Sequence, residues 1–183
     1  MRHGSERKAR PPLDDEALQR LALHYAGRYA TTRAKLGAYL SRKLRERGWA
    51  GEGGVEGVVT RLVSRFQELG YVDDEAFADA RAASLGRRGY GERRVAQALK
   101  AAGIDEADAD GARTIARESA WASALRFAAR KRVGPFAAHE LDRETRQKAF
   151  AAMMRAGHPP EIAGKLLAMS PGTPVDPDEP FFT

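Results

Sequence analysis

Leu13-Asp14-Asp15-Glu16-Ala17-Leu18 and Val72-Asp73-Asp74-Glu75-Ala76-Phe77 are one helix-start signal written twice, 59 residues apart. In each copy an Asp can accept from the orphan N–H groups of a first turn. The two acids that follow oppose the positive helix end, and the flanking apolar pair can close a hydrophobic staple. A chain that repeats such a signal is predicted to repeat the unit it opens.

Glycine marks the other end of the unit. Gly48, Gly103 and Gly157 each follow a basic stretch with helical apolar spacing, at intervals of 55 and 54 residues. The position after a helix favours glycine because it takes a left-handed backbone without steric cost. Units of about 55 residues suit stacked helical repeats. Alanine and arginine dominate, leucine and glutamate are frequent, and β-branched residues are sparse, so no segment reads as a strand. The expected fold is all-α, with three tandem three-helix repeats in an elongated, modular arrangement over 13–70, 71–118 and 119–169. A basic, disordered arm (1–12) and a proline- and acid-rich extended tail (170–183) flank them.

Within the repeats the apolar spacing is read as follows. Leu18, Leu21, Ala22 and Tyr25 mark a first helix, and Leu36, Leu40 and Leu44 a second over Thr32 to Arg47. Val55, Val58, Val59, Leu62, Val63, Phe66 and Leu69 form the clearest stripe, at i, i+3, i+4, i+7, i+8, i+11 and i+14. Phe77, Ala80 and Arg81 mark the next helix, Val95 and Leu99 the one after. Trp121, Leu125 and Ala128, then Ala149, Phe150 and Met153, then Ile162 and Leu166 complete the third unit.

There is no cysteine, which excludes disulfides and thiolate metal sites. The N-terminus lacks the apolar run of a signal peptide and no run of 18 apolar residues occurs, so a cytoplasmic, non-membrane protein is expected. Asp73, Asp74 and Glu75 invite a metal reading, but consecutive helix-start residues do not share a face, and capping explains them. His3, His24, His139 and His158 lack zinc spacing. The Gly86 to Gly91 run has neither the Lys-Ser/Thr ending nor the preceding strand of a phosphate loop and reads as a helix–helix turn. No nucleophile–base constellation stands out. No catalytic residue, metal or cofactor is expected, and the chain reads as a non-enzyme.

Charge carries the functional signal. Lys and Arg total 31 against 25 acids, and the excess is segmental. Arg42, Lys43, Arg45 and Arg47 form one cluster, Arg87, Arg88, Arg93 and Arg94 a second around Tyr90, and Arg130, Lys131 and Arg132 a third. Each could neutralise phosphate or an acidic partner surface; the competing reading is a solvated helix face. Tyr71, Tyr90, Trp49 and Trp121 could stack on bases, but the adjacent apolar helices favour packing.

Glu68-Leu69-Gly70-Tyr71-Val72-Asp73-Asp74-Glu75-Ala76-Phe77-Ala78 resembles the signature of the RecX family, regulators of the RecA recombinase. Arg88-Gly89-Tyr90-Gly91 with the segment from Arg94 to Ile104 resembles that family's next helix pair. Tyr25, Arg28, Arg33, Leu36, Leu40, Lys43, Leu44 and Gly48 resemble its opening repeat. The resemblance implies a protein that binds the RecA–DNA filament along its groove, and a monomer is expected. It implies modulation, in the inhibiting direction, of ATP hydrolysis, strand exchange and coprotease activity in DNA repair. Direct contact with single- or double-stranded DNA is part of that expectation. The alternative is a stand-alone DNA-binding module built on helix-turn-helix-like pairs, for which Arg94, Gln97 and Lys100 are the residues placed to read bases.

Overall fold

The structure, a computed structural model, describes residues 11–178. Most of the basic arm (1–10) and the end of the tail (179–183) lie outside the described residues. Among those described there are nine α-helices and no strand. By contacts the chain divides into two compact units, 1–74 and 75–183.

The first unit holds α1 (Asp15–Arg28), α2 (Arg33–Arg47) and α3 (Val55–Glu68). Asp14 caps α1 through the Ala17 N–H at 2.8 Å, and Thr32 caps α2 through the Lys35 N–H at 3.2 Å. Order begins before the first helix. Leu13 donates to the Gly48 carbonyl (3.0 Å) and accepts from the Ala50 N–H (2.8 Å), so this buried residue pins the chain entering α1 to the chain leaving α2. The Arg47 guanidinium reinforces the join with two bonds to the Pro11 carbonyl. The core gathers Leu18 and Ala22 of α1, Leu36, Leu40 and Leu44 of α2, Val58, Val59 and Phe66 of α3, and Val72. Of the α3 stripe, Val58, Val59 and Phe66 are buried and Leu62 and Val63 half-buried. Val55 and Leu69 are exposed, because the first residue and the C-cap of a helix lie beyond the cover its neighbours provide.

In the second unit α4 (Asp74–Arg87), α5 (Glu92–Ala102) and α6 (Asp110–Glu118) bury a small, alanine-rich core: Ala78, Ala82, Leu85, Val95, Leu99, Ala109, Ala112 and Ala116. This corrects the face read for α4, since Ala80 and Arg81 are exposed and Phe77 only half-buried. Then come α7 (Ala120–Lys131), α8 (Arg143–Ala156) and α9 (Pro160–Ala168). Their core of Trp121, Ala124, Leu125, Phe127, Ala128, Met153, Ile162, Ala163, Leu166 and Leu167 is the largest of the three. Half-buried Tyr90 packs against both clusters. Residues 170–178 are laid on the third core: the Trp121 indole N–H donates to the Asp176 carbonyl at 2.8 Å and Val175 packs beneath.

All three glycines read as helix ends have positive φ, at 83°, 73° and 92° for Gly48, Gly103 and Gly157. Gly157 does more than turn the chain. The N–H groups of Gly91 and Arg93 donate to the carbonyls of Ala156 and Gly157 (3.0 and 3.2 Å), and a Cβ on Gly157 would lie 2.4 Å from the Arg94 nitrogen. The end of α8 and the start of α5 therefore meet backbone to backbone.

Candidate partner-binding interface

On α2, Arg42 and Arg45 face solvent, whereas Lys43 and Arg47 are half-buried. Helical spacing puts Arg42 and Lys43 one turn from Tyr39, and both cations lie over its ring at 5.7 and 5.9 Å. Glu46 takes an ion pair from each, at 3.8 Å from Arg42 and 2.6 Å from Lys43. The Arg47 guanidinium donates twice to the Pro11 carbonyl, at 3.0 and 2.7 Å.

The second and third clusters, read as separate, are brought together. Arg130 donates to the Arg88 carbonyl, and Arg126, one turn earlier on α7, donates to the Gly86 carbonyl at 3.4 Å. Two guanidinium groups thus satisfy carbonyls at the end of α4, where the helix dipole is negative. Arg88 lies over the Tyr90 ring at 5.5 Å and Arg130 over Phe127 at 5.4 Å. Arg93 and Arg94 begin α5 beside this turn and are exposed; Arg94 reaches Gln97 at 3.5 Å. Lys131 and Arg132 end α7, with Arg132 in a left-handed conformation (φ 54°) as its cap. The side chains of Arg45, Arg87, Arg93, Lys131 and Arg132 make no hydrogen bond or ion pair among the described residues.

Sequence reasoning missed three residues. Arg126 was legible as the i−4 neighbour of Arg130. Asp74 is buried and accepts from both the backbone N–H and the Nε of Arg33 (2.9 and 3.1 Å). His158 is fully buried edge-on to Phe127, with Nε2 at 3.2 Å from the Gly89 carbonyl. A carbonyl only accepts, so Nε2 carries the proton and donates. Burial pushes this imidazole down to about 4; the Gly89 bond opposes that shift and the Arg130 charge adds to it. Of the aromatic residues, Trp121 is buried, Trp49 and Tyr90 are half-buried, and Tyr71 leans on Phe66 with ring centroids 5.3 Å apart while half its surface stays exposed.

The chain is 34% identical to the regulatory protein RecX of Myxococcus xanthus over 164 residues, covering 84% of this chain and 86% of that one. The chain belongs to the RecX family. Residues 73–112, from the start of α4 into α6, match the family model for the RecX second three-helix domain. The regulatory protein RecX of a Mycobacterium species is 37% identical over 107 residues, 57% of this chain and 55% of that protein. The fold is that of a RecX crystal structure from Lactobacillus salivarius, with a TM-score of 0.61 at 18% identity over 83% of this chain and 93% of that one. A second crystal structure of a RecX regulatory protein matches with a TM-score of 0.57 at 21% identity, over 83% of this chain and 72% of that one. No helix among the described residues of this family member is long and apolar enough to cross a membrane.

Proposed function

We propose that this chain is a cytoplasmic, non-enzymatic regulator of a RecA recombinase. It binds the RecA–DNA filament as a monomer and inhibits ATP hydrolysis, strand exchange and coprotease activity. The observation that carries this reading is membership of the RecX family over 84% of the chain. The repeats over 13–70, 71–118 and 119–169 serve as the successive contact modules. Within them the exposed cations, Arg42 and Arg45 on α2 and Arg87, Arg93, Lys131 and Arg132 in the second unit, supply charge for a polyanionic partner.

The test is ATP hydrolysis by the recombinase on single-stranded DNA, titrated with this protein. A saturable fall in hydrolysis, matched by loss of strand exchange, is the expected result. Unchanged hydrolysis at protein concentrations equal to the recombinase would overturn it.

A further inference from the structure

Three tyrosines of the first unit cluster at the edge of its core: Tyr25 and Tyr39 are half-buried and pack against it, whereas Tyr29 stands exposed beside them. Tyr25 and Tyr39 stack across α1 and α2 with ring centroids 4.2 Å apart and planes 13° from parallel. Tyr29, one turn beyond Tyr25, extends the group with its centroid at 5.4 Å. Cations border it on both helices: Arg28 over Tyr29 at 5.9 Å, and Arg42 and Lys43 over Tyr39. Glu46 is the acid paired with the latter two. Tyr29 is 52% exposed, and none of the three hydroxyls hydrogen-bonds the protein among the described residues.

We propose that this Tyr25–Tyr29–Tyr39 face, with Arg28, Arg42 and Lys43, is a stacking platform for single-stranded nucleic acid. A run of rings interleaved with guanidinium and ammonium groups offers an unpaired base a π-face and its phosphate a counter-charge within one helical turn. An acidic peptide would use the cations and leave the rings idle. A duplex would offer phosphate but no free base face, because its bases are stacked on one another. Tyr29, the exposed ring, takes the first base, and the Tyr25–Tyr39 pair holds the floor of the platform rigid.

The binding needs no recombinase, so its test is separate from that of the filament reading. The full-length chain is titrated against a fluorescently labelled oligothymidylate at low salt, and against an abasic strand of equal length and equal phosphate count. The oligothymidylate is expected to bind roughly tenfold more tightly than the abasic strand, the scale of one or two stacked bases. Tyr29→Ala and Tyr29→Leu are expected to erase most of that difference, and Tyr29→Phe to keep it, with melting temperatures unchanged. Equal binding of the two strands, equal behaviour of the Leu and Phe variants, or no measurable binding of oligothymidylate by the parent protein would each overturn the proposal.

Discussion

At the scale of single residues, stability is concentrated where a side chain serves two segments at once. Phe66 is 2% exposed, at the centre of the first core, and its truncation to Ala is expected to cost about 3–5 kcal/mol. A denaturation midpoint unchanged in Phe66→Ala would contradict that burial. Asp74 differs in kind: its carboxylate answers both the orphan N–H at the start of α2 and the guanidinium of the same Arg33. Asp74→Ala is expected to cost about 3 kcal/mol, since it strands the partly buried Arg33 charge and leaves the first N–H of α2 without its acceptor. Asp74→Asn keeps an acceptor for the Arg33 N–H, so urea titration should place it between that variant and the parent. The sequence showed Asp74 only as a helix-start acid, because a partner 41 residues away leaves no local trace. His158 was equally silent. Its folded pKa lies near 4, below the ordinary 6.5, so between those values the unfolded chain binds the extra proton. Stability is therefore full above about pH 6.5 and falls as the pH drops towards 4, by up to about 3 kcal/mol. His158→Gln retains an N–H for the Gly89 carbonyl but cannot titrate. Its stability measured at pH 7 and pH 4.5 should lack this component of the acid loss.

At the scale of elements, the helix ends were legible and the buried faces less so. Asp14, Thr32 and Asp142 cap the helices they precede, and Gly103 and Gly157 end theirs, because capping is local chemistry written in adjacent residues. The face of α4 was misread since Ala76, Ala78, Ala80, Ala82 and Ala83 present nearly the same residue on every side. Only packing decides which alanines go inside. The repeated Asp-Asp-Glu signal likewise opens two helices, yet Asp15 is exposed and its counterpart Asp74 buried. The contact of α8 with α5 rests on backbone proximity, which gives glycine a second duty. Gly157→Ala adds a Cβ at φ 92° and against the Arg94 nitrogen, so it is expected to cost several kcal/mol, about 2–4 by the scale of strain and overpacking. Gly164, inside α9 with open space around it, is the control: Gly164→Ala should stabilise by about 0.5–1 kcal/mol. Equal denaturation midpoints for the two variants would remove the close approach of α8 and α5 from the account.

At the scale of the whole molecule, the three charge clusters of the sequence differ in what their side chains already contact. Arg47 and Arg130 spend their guanidinium groups on carbonyls of their own chain, whereas Arg42, Arg45, Arg87 and Arg93 remain exposed, two in each compact unit. Sequence periodicity could not make that division, because it depends on which carbonyls the fold leaves open. One chain that presents charge from two units gains avidity on a polymer, the second contact being made at the effective concentration set by the first. The proposed filament contact can therefore be dissected by neutralisation. Arg42→Ala with Arg45→Ala, or Arg87→Ala with Arg93→Ala, should each raise the half-inhibitory concentration in the recombinase ATPase assay roughly tenfold, with unchanged melting temperature. All four together should lose more than either pair, and the slope of log affinity against log salt should fall by about one for each phosphate contact removed. A quadruple variant that inhibits at the parent concentration would place the contact elsewhere, and Lys131 and Arg132 at the end of α7 would be the cations to neutralise next.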